Sequence, residues 1–360
     1  MPEDQPSSPP SHRPKHVLLV SPFVFSYHES ICETLRSLGY EVTWWDERAS
    51  SASIYKLALR LLPAWTRRWS ERRFTQRLSQ LDPAAISHVL IIKGEGISRK
   101  MVHLIRHKLS HASMGLYLWD GVENVRGAST ILDAFDTVAT FDPEDAARRH
   151  WTHRPLFARG SPGAQVAGPE MAYDWCFIGT LHSDRHRVIH RMRKRCAGRY
   201  RSFVFGYFPG KLARALRYLF DWSLWVAPKG SLSIKSMSAS EVQAVVRSAR
   251  AVFDVEHPRQ RGLTMRTIET LLAGKKLITT NRHILDSDLY HPSRVHVISR
   301  QEPDLADDFL DSPFLPLPAE LRRRYSSEAW ITDLLDLQDA ARHRTDLAAT
   351  PPAMAASSGR

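Results

Sequence analysis

Short apolar runs rich in β-branched and aromatic residues alternate along this chain with amphipathic segments of helical length. The run HVLLV at 16–20 leads through a helical pattern to YEVTWW at 40–45, and further strand-like runs follow at 88–93, 114–120 and 137–142. Consecutive parallel strands need a crossover connection, usually a helix, so this alternation is typical of βαβ units. The sequence therefore predicts an α/β protein built from doubly wound parallel sheets.

The same pattern begins again after a loop rich in Gly and Pro at 157–172. The second half opens with a predicted strand at 173–180. A basic helix at 184–196, a strand at 201–206, a helix at 239–248 and a strand at 250–255 are predicted to follow. Open α/β sheets bind ligands beyond the carboxyl ends of their strands. We therefore expect two Rossmann-like domains with a ligand site in the cleft between them.

Domain boundaries follow from this loop and from the composition of the two ends. An N-terminal domain is expected at 15–156, a C-terminal domain at 173–318 and a C-terminal helix at 319–345. Residues 1–14 and 346–360 contain few large apolar residues, so they are predicted to be disordered tails.

The amino-acid composition indicates the cellular compartment of the protein and the kind of molecule that it can bind. The chain has no apolar run long enough to cross a bilayer and no signal-peptide pattern, so we expect a cytoplasmic protein. Its cysteines, Cys32, Cys176 and Cys196, form no C-x-x-C pair, which indicates reduced thiols. The net charge of +12 favours polyanions in general: nucleic acid, anionic lipid or phosphorylated substrates.

One βαβ unit in the second half suits a nucleotide ligand. A strand at 250–255 leads into a loop, a helix from Thr264 to Ala273 and the strand KLITT at 276–280. The free amides of a helix N-terminus favour a diphosphate, and Gly262 would let the backbone approach it. Arg266 can fork onto phosphate oxygens and Glu269 can accept ribose hydroxyls. A solvated Arg/Glu pair on an ordinary helix is the alternative interpretation.

The order Gly262, Leu263, Glu269, Gly274 and the following strand resembles the donor-binding region of GT-B glycosyltransferases, where a Gly-Leu turn precedes a helix whose Glu holds the donor ribose. More narrowly, the chain resembles the capsule and lipopolysaccharide glycosyltransferases related to CgeB-like proteins. The stretches that carry this second resemblance are LIIKGEGIS at 90–98, YLWDGVEN at 117–124, FDPEDA at 141–146, YDWCFIGTLHSDR at 173–185 and QRGLTMRTIETLLAGKKLITTN at 260–281.

The resemblance implies the GT-B fold, with an acceptor-side N-terminal domain and a donor-side C-terminal domain. It implies transfer of a sugar from a nucleotide-diphosphate sugar to a glycan or glycolipid acceptor of the bacterial surface, with no metal and no cofactor besides the donor. The residues expected to bind the donor in this segment are Gly262, Leu263, Thr264, Arg266 and Glu269. Many retaining enzymes carry a second Glu eight positions before the ribose-binding one. Here that position is Arg261, so the stereochemistry stays open.

Three further residues are candidates for the donor site. Gly179 and Thr180 end the strand at 173–180, and Arg185 follows at a predicted helix start. Glycine frees the backbone for close approach to a ligand, and the other two side chains can meet phosphate. An ordinary strand-to-helix turn explains the same pattern.

Glu95 and Asp120 are the candidates for the general base. Each follows a strand of the first half, so both are expected at the cleft edge, where a carboxylate can take the acceptor hydroxyl proton. Each can equally be a cap or turn residue. Asp142 has a simpler interpretation as the N-cap of a helix that begins at Pro143.

Two patterns that suggest a metal site are assigned other roles. His182, His186 and His190 lack carboxylate or cysteine partners, so we interpret them as part of a solvated basic helix. The Asp286 to Asp288 triplet resembles the metal-binding motif of a different glycosyltransferase fold, and the doubly wound pattern argues against that role.

Two aromatic and basic segments, at 54–78 and 213–227, suit an anionic membrane surface. We therefore expect peripheral association with the inner face of the cytoplasmic membrane, although each segment can instead pack on the fold. Two other functions remain as alternatives: a nucleotide-sugar epimerase of the UDP-N-acetylglucosamine type on the same fold, and a basic nucleic-acid-binding protein, for which no recognition motif is present.

Overall fold

The computed structural model describes residues 15–23, 26–48, 63–125, 127–159, 171–221, 224–227 and 230–349. The tail predicted at 1–14, the last part of the tail predicted at 346–360 and most of the loop at 157–172 lie outside these residues. Residues 346–349 are described, and they continue the last helix instead of beginning a tail.

The first sheet has the strand order β2-β1-β3-β4-β5-β6. Its strands are β1 (His16–Ser21), β2 (Glu41–Asp46), β3 (Ile86–Ile92), β4 (Ser113–Leu118), β5 (Thr137–Thr140) and β6 (Thr152–His153). The helices in this part of the chain are α1 (Tyr27–Ser37), α2 (Pro63–Gln80), α3 (Arg99–Lys108) and α4 (Pro143–Arg149). Strand β1 pairs in parallel with β2 and β3, and β3 pairs in parallel with β4.

The second sheet is parallel throughout, with the order β12-β11-β10-β7-β8-β9. Its strands are β7 (Tyr173–Thr180), β8 (Ser202–Tyr207), β9 (Leu232–Ser233), β10 (Ala249–Asp254), β11 (Lys276–Thr279) and β12 (Val295–Val297). The helices that follow are α5 (Arg185–Arg195), α6 (Lys211–Phe220), α7 (Ala239–Arg247), α8 (Met265–Leu272), α9 (Asp307–Asp311), α10 (Ala319–Arg324) and α11 (Ser327–Ala349). The prediction of doubly wound parallel sheets is confirmed.

Strands covered on both faces explain the continuous apolar runs of the sequence. Residues 17–20 of β1 are fully buried, and so is most of β3. In the second sheet Trp175 and Phe177 each pack edge-on against Phe253, with ring centroids 5.8 Å and 6.4 Å apart. All three cysteines are free, and all three are buried.

The described residues divide into two compact units at positions that differ from the expected boundaries. The first unit contains the residues up to Ala139 and those from Ile331 on, and the second contains Thr140–Trp330. The chain joins the second unit soon after β5 because Phe141 packs against Gly262 there. Asp142 caps α4 as predicted, accepting from the amide of Glu144 at 3.0 Å.

The predicted C-terminal helix at 319–345 is two helices. The break falls at Tyr325 and Ser326, because the Tyr325 hydroxyl donates to Asp288 Oδ1 at 2.5 Å and Ser326 pairs with Ala158. Beyond the break, α11 returns to the first unit. A Cβ placed on Gly115 of β4 would lie 2.5 Å from the amide nitrogen of buried Gln338, so glycine allows this close packing.

The described part of the first segment predicted to suit a membrane packs on the fold. Residues 54–62 of this segment lie outside the described residues, and the rest belongs to α2. Phe74 and Leu78 of α2 are buried, and the Phe74 ring packs edge-on against Trp45 at 4.9 Å. Within the part of the chain that the structure describes, no helix has the length and apolar character needed to cross a membrane.

Candidate functional site

Two guanidinium groups and an aromatic ring converge on Gly179, at the end of β7. A Cβ atom placed on Gly179 would lie 3.2 Å from the ring of Phe177, 3.7 Å from Nη1 of Arg185 and 3.7 Å from Nη2 of Arg266. Arg185 begins α5, and Arg266 is in the first turn of α8. The structure therefore brings together three of the residues predicted to bind the donor, and glycine avoids the close contact that a Cβ would make with the Phe177 ring.

Backbone carbonyls hold the guanidinium of Arg185 in place. Its Nη1 donates to the carbonyl oxygen of Thr180 at 2.8 Å and its Nε to that of Val255 at 2.6 Å. Burial lowers the pKa of Arg185 to about 10; the carboxylate of Asp254 opposes this shift and the charge of Arg266 adds to it. Arg185 is still a cation at neutral pH, so an anion placed between it and Arg266 would relieve their repulsion. Thr180 contributes its carbonyl oxygen to this arrangement, and its contact with phosphate stays a prediction.

A buried carboxylate fixes the beginning of α8 to the sheet. Asp254, the last residue of β10, accepts from the hydroxyls of Thr264 at 2.5 Å and Thr267 at 3.0 Å. Thr264 is the N-cap of α8, and its Oγ1 accepts from the amide of Thr267. This anchoring sets the position of Arg266, whose Nε lies 3.9 Å from Asp254 Oδ1. Sequence analysis gave Asp254 no role, although an acid at the carboxyl end of an apolar strand was a usable signal.

Gly262 is required by packing within the second unit. A Cβ there would lie 2.5 Å from the ring of Phe141 and 2.8 Å from its carbonyl oxygen. The carbonyl oxygen of Gly262 accepts from Asn281 Nδ2 at 3.3 Å, and the partly buried Leu263 follows. The approach of phosphate to Gly262 stays a prediction, because the observed reason for glycine is the Phe141 ring.

Glu269, the predicted ribose ligand, forms an ion pair. Its Oε1 accepts from Arg159 Nε at 2.9 Å, and both side chains are about one third exposed. Arg261, which occupies the position of a second Glu in many retaining enzymes, pairs with Glu144. A ribose hydroxyl would therefore share the Glu269 carboxylate with Arg159, and the ribose-binding role stays a prediction.

A second ionic network joins the loop after β10 to the beginning of α5. Arg300 forks onto Asp184, with distances of 2.7 Å and 3.2 Å, and also pairs with buried Glu256. Glu256 accepts from the hydroxyl of Thr280 at 2.5 Å. Burial raises the pKa of Glu256, while the Thr280 hydrogen bond and the Arg300 charge oppose the rise. The network keeps the two loops beside Arg185 in fixed positions.

Two imidazoles lie next to this arginine cluster. The rings of His182 and His257 are 5.7 Å apart. Burial lowers the pKa of His182 to about 3, and the charges of Arg185 and His257 lower it further. His182 is therefore neutral at physiological pH and can donate or accept one hydrogen bond at each ring nitrogen. His186 is buried, so the interpretation of this histidine series as a solvated face is wrong at that position: α5 turns His186 towards the core.

The two candidate bases of the first unit share one lysine. Lys93 Nζ lies 3.0 Å from Glu95 Oε2 and 3.0 Å from Asp120 Oδ2, and Arg48 lies 3.7 Å from Glu95. Burial alone would lower the pKa of Lys93, but the charges of Asp120 and Glu95 raise it overall. The structure thus brings Glu95 and Asp120 together at the carboxyl ends of β3 and β4, each already paired with a cation. Their role as general base stays a prediction.

Glu47 is a buried carboxylate in this region that sequence analysis missed. It follows β2, is 1% exposed, and neither of its carboxylate oxygens has a hydrogen-bond partner in the described chain. Burial raises its pKa to about 7, and the Gly96 backbone and the Lys93 charge limit the rise. Gly96 packs directly on it, since a Cβ there would lie 2.8 Å from the Glu47 carbonyl oxygen. Nothing in the sequence distinguishes Glu47 from the neighbouring polar residues Asp46 and Arg48.

In the ranges that the structure describes, no group of three or more His, Cys, Asp or Glu side chains is placed to hold a metal ion. Asp288 of the acidic triplet instead accepts from Tyr325 at 2.5 Å and from Arg324 at 2.8 Å. These contacts give it a structural role at the break between α10 and α11.

Comparison with known proteins gives the fold. No protein-family model matches the sequence, and no curated protein matches it. Among solved structures, OtsA in its apo form has a TM-score of 0.55 at 12% identity, over 94% of this chain and 100% of that one. The N-terminal domain of Candida albicans trehalose-6-phosphate phosphatase has a TM-score of 0.53 at 10% identity, over 96% and 99%. With two six-stranded sheets and flanking helices, the chain has the GT-B glycosyltransferase fold that the resemblance implied.

Proposed function

We propose that this chain, which has the GT-B fold, is a glycosyltransferase that binds a nucleotide-diphosphate sugar in its second unit. The observation that carries the proposal is the approach of two guanidinium groups, those of Arg185 and Arg266, to Gly179 at the end of β7. Guanidinium groups bind phosphate oxygens with two parallel hydrogen bonds, and the N-terminus of α8 adds a positive dipole end. The negative charge of a diphosphate would compensate the positive charges of these two guanidinium groups.

The remaining donor contacts follow the direction of α8. Glu269 lies one turn after Arg266, so a diphosphate between the arginines would place the ribose near its carboxylate. Leu263 and Thr264 precede the helix and would border the nucleotide. Glu269 binds the ribose hydroxyls in this proposal while keeping Arg159 as a neighbour.

In this proposal the acceptor substrate binds to the first unit. Glu95 or Asp120 would take the proton of the acceptor hydroxyl, with Lys93 holding both carboxylates in place. The resemblance to CgeB-like proteins supports a bacterial surface glycan as the acceptor, in capsule, lipopolysaccharide or a related polysaccharide. A lipid-linked acceptor would be presented at an anionic membrane, so the proposal includes peripheral association with that surface. It involves no metal ion.

The activity is tested by incubating the protein with a panel of UDP-, GDP-, dTDP- and CMP-linked sugars, with and without bacterial membranes as the source of acceptor. We expect one donor to release its free nucleotide only when membranes are present, together with transfer of radiolabelled sugar to the lipid fraction. Interconversion of the sugar nucleotide without membranes would instead identify an epimerase. Absence of turnover with every donor would contradict the proposal.

A further inference from the structure

The loops after β7 and β10 place two imidazoles at one edge of the second sheet. His182 follows β7 and His257 follows the neighbouring strand β10, and the two ring centroids are 5.7 Å apart. Both side chains are partly exposed. Open α/β sheets bind ligands at this carboxyl edge, so these two rings, which we call the histidine pair, lie where a ligand can reach them.

Arg300 holds the two loops that carry the histidine pair. It forks onto Asp184, two residues after His182, at 2.7 Å and 3.2 Å, and it pairs with Glu256, the residue before His257. Hydrogen bonds between charged groups are stronger than those between neutral ones. The two rings are therefore held in place before a ligand arrives, which lowers the cost of ordering them on binding.

The turn at Ser183 determines which nitrogen of His182 carries the hydrogen. Ser183 has a φ of 48°, in the left-handed region that serine rarely adopts, and Arg217 holds the turn by donating to the Ser183 carbonyl oxygen at 2.6 Å. The Ser183 hydroxyl donates its single hydrogen to the His182 carbonyl oxygen at 2.8 Å. It therefore accepts from His182 Nδ1 at 3.1 Å, and the neutral ring keeps a lone pair on Nε2.

His257 has the opposite tautomer. The backbone amide of Arg259 donates to His257 Nδ1 at 3.3 Å, so in the neutral ring the hydrogen is on Nε2. Burial lowers the pKa of His257 and the charge of Arg259 lowers it further, which keeps the ring neutral at physiological pH. The histidine pair thus offers a ligand one acceptor, Nε2 of His182, and one donor, Nε2–H of His257.

The histidine pair lies on the Arg185 side of the proposed diphosphate site. Burial lowers the pKa of both rings, and the charge of Arg185 adds to the effect on each. Arg266 and Glu269 belong to a different helix, α8. A nucleotide-diphosphate sugar has its ribose at one end of the diphosphate and the transferred sugar at the other. With the ribose at Glu269, the sugar end is directed towards Arg185 and the histidine pair.

We propose that the histidine pair binds the sugar end of the donor: His257 Nε2–H donates to a diphosphate oxygen, and His182 Nε2 accepts from a hydroxyl of the transferred sugar. The inference rests on the proposed function and deepens it by assigning two further donor contacts. An ionised phosphate oxygen has no hydrogen to give to His182, whereas a sugar hydroxyl has one. A nucleoside diphosphate without the sugar therefore makes the His257 contact only.

Calorimetric titration tests this difference with three pairs of ligands: UDP and UDP-glucose, GDP and GDP-mannose, and dTDP and dTDP-glucose. Asparagine keeps a polar group near the position of Nδ1 and has none at Nε2. His182→Asn is expected to bind the sugar nucleotide about fivefold more weakly than the wild type and the diphosphate equally well, since one hydrogen bond to the sugar is lost. His257→Asn is expected to bind both about tenfold more weakly, since a hydrogen bond to a charged group is lost.

Two further variants complete the comparison. His257→Gln, whose amide extends to the position of Nε2, is expected to recover part of the lost affinity for both ligands. The matched control is His291→Asn. His291 Nδ1 makes a similar local contact with Ser293 Oγ at 2.8 Å, but it precedes β12, so it lies at the opposite edge of the parallel sheet. This variant is expected to bind like the wild type.

Unchanged binding by both His182→Asn and His257→Asn, beside a wild type that binds, would overturn this inference and leave the proposed function standing. An equal loss for His182→Asn with the diphosphate and with the sugar nucleotide, or a similar loss in the control, would also overturn it. A wild type that binds none of the six ligands would contradict both proposals.

Nitrogen NMR of the ligand-free protein, labelled with ¹⁵N at its histidines, tests the tautomers without any nucleotide. We expect the hydrogen on Nδ1 of His182 and on Nε2 of His257, and the reverse assignment at either ring would overturn the inference. Thermal unfolding of each variant checks that the fold is kept.

Discussion

Arg266 and Gly262 lie four residues apart, and both were expected to bind the donor. The structure brings Arg266 to Gly179. The reason for glycine at 262 is the ring of Phe141, which is distant in the sequence. Local periodicity predicts where a side chain points, but it carries no information about which remote residue will occupy the space beside it.

Glu47 gives a pH-dependent prediction at the residue scale. Its pKa of about 7 in the folded state is above the ordinary value of 4.5, so the native state binds the proton more tightly than the unfolded state. The stability present below about pH 4.5 is therefore lost as the pH rises through about 7. Glu47→Gln cannot ionise, and at pH 8 it is expected to be more stable than the wild type by on the order of 3 kcal/mol.

The measurement is urea unfolding of both proteins at pH 4.5 and pH 8. The difference is expected to vanish at the lower pH, where Glu47 is protonated. Glu41→Gln, at an exposed position on β2, is the control and is expected to change stability little at either pH. Equal stability of Glu47→Gln and wild type at pH 8 would show that the carboxylate is not held in a desolvated environment.

At the scale of elements, Asp254 at the end of β10 fixes the beginning of α8 by hydrogen bonds. Replacing it by alanine leaves the hydroxyls of Thr264 and Thr267 without their shared acceptor. Hydrogen bonds to a charged group contribute about 1.5–3 kcal/mol each, so Asp254→Ala is expected to destabilise the protein by at least about 2 kcal/mol. Asp311→Ala, which removes an exposed partner of Arg250, is expected to cost less than about 1 kcal/mol.

Denaturant unfolding of the two variants checks this comparison. Equal midpoints for Asp254→Ala and Asp311→Ala would mean that α8 does not depend on the buried carboxylate.

Most elements were predictable because their signals are local. The bounds of β7 agree with the prediction, and those of α8 differ by one residue at each end, since Thr264 caps the helix and Gly274 follows it. The break between α10 and α11 was missed because it depends on the contact of Tyr325 with Asp288. The division into compact units after Ala139 also depends on remote contacts, since Phe141 and Glu144 are held by residues 262 and 261.

At the scale of the whole molecule, the excess of positive charge is divided among different tasks. Arg185 and Arg266 converge on Gly179, whereas Arg217 of α6 donates to the carbonyl oxygen of Ser183 and Arg195 of α5 pairs with Asp304. A net charge of +12 by itself favours any polyanion. The positions of the charges in the fold separate arginines that stabilise the structure from the pair at Gly179, for which we propose a diphosphate ligand.

The central claim is that a nucleoside diphosphate binds between Arg185 and Arg266, and isothermal titration calorimetry with UDP, GDP, ADP, CDP and dTDP tests it most directly. We expect at least one of these to bind the wild type, at least about tenfold weaker binding by Arg266→Met because a charge-assisted contact is lost, and unchanged binding by the control Arg195→Met, whose side chain is exposed. If the wild type binds none of the five, or if Arg266→Met binds as tightly as the wild type, the proposed donor site is contradicted.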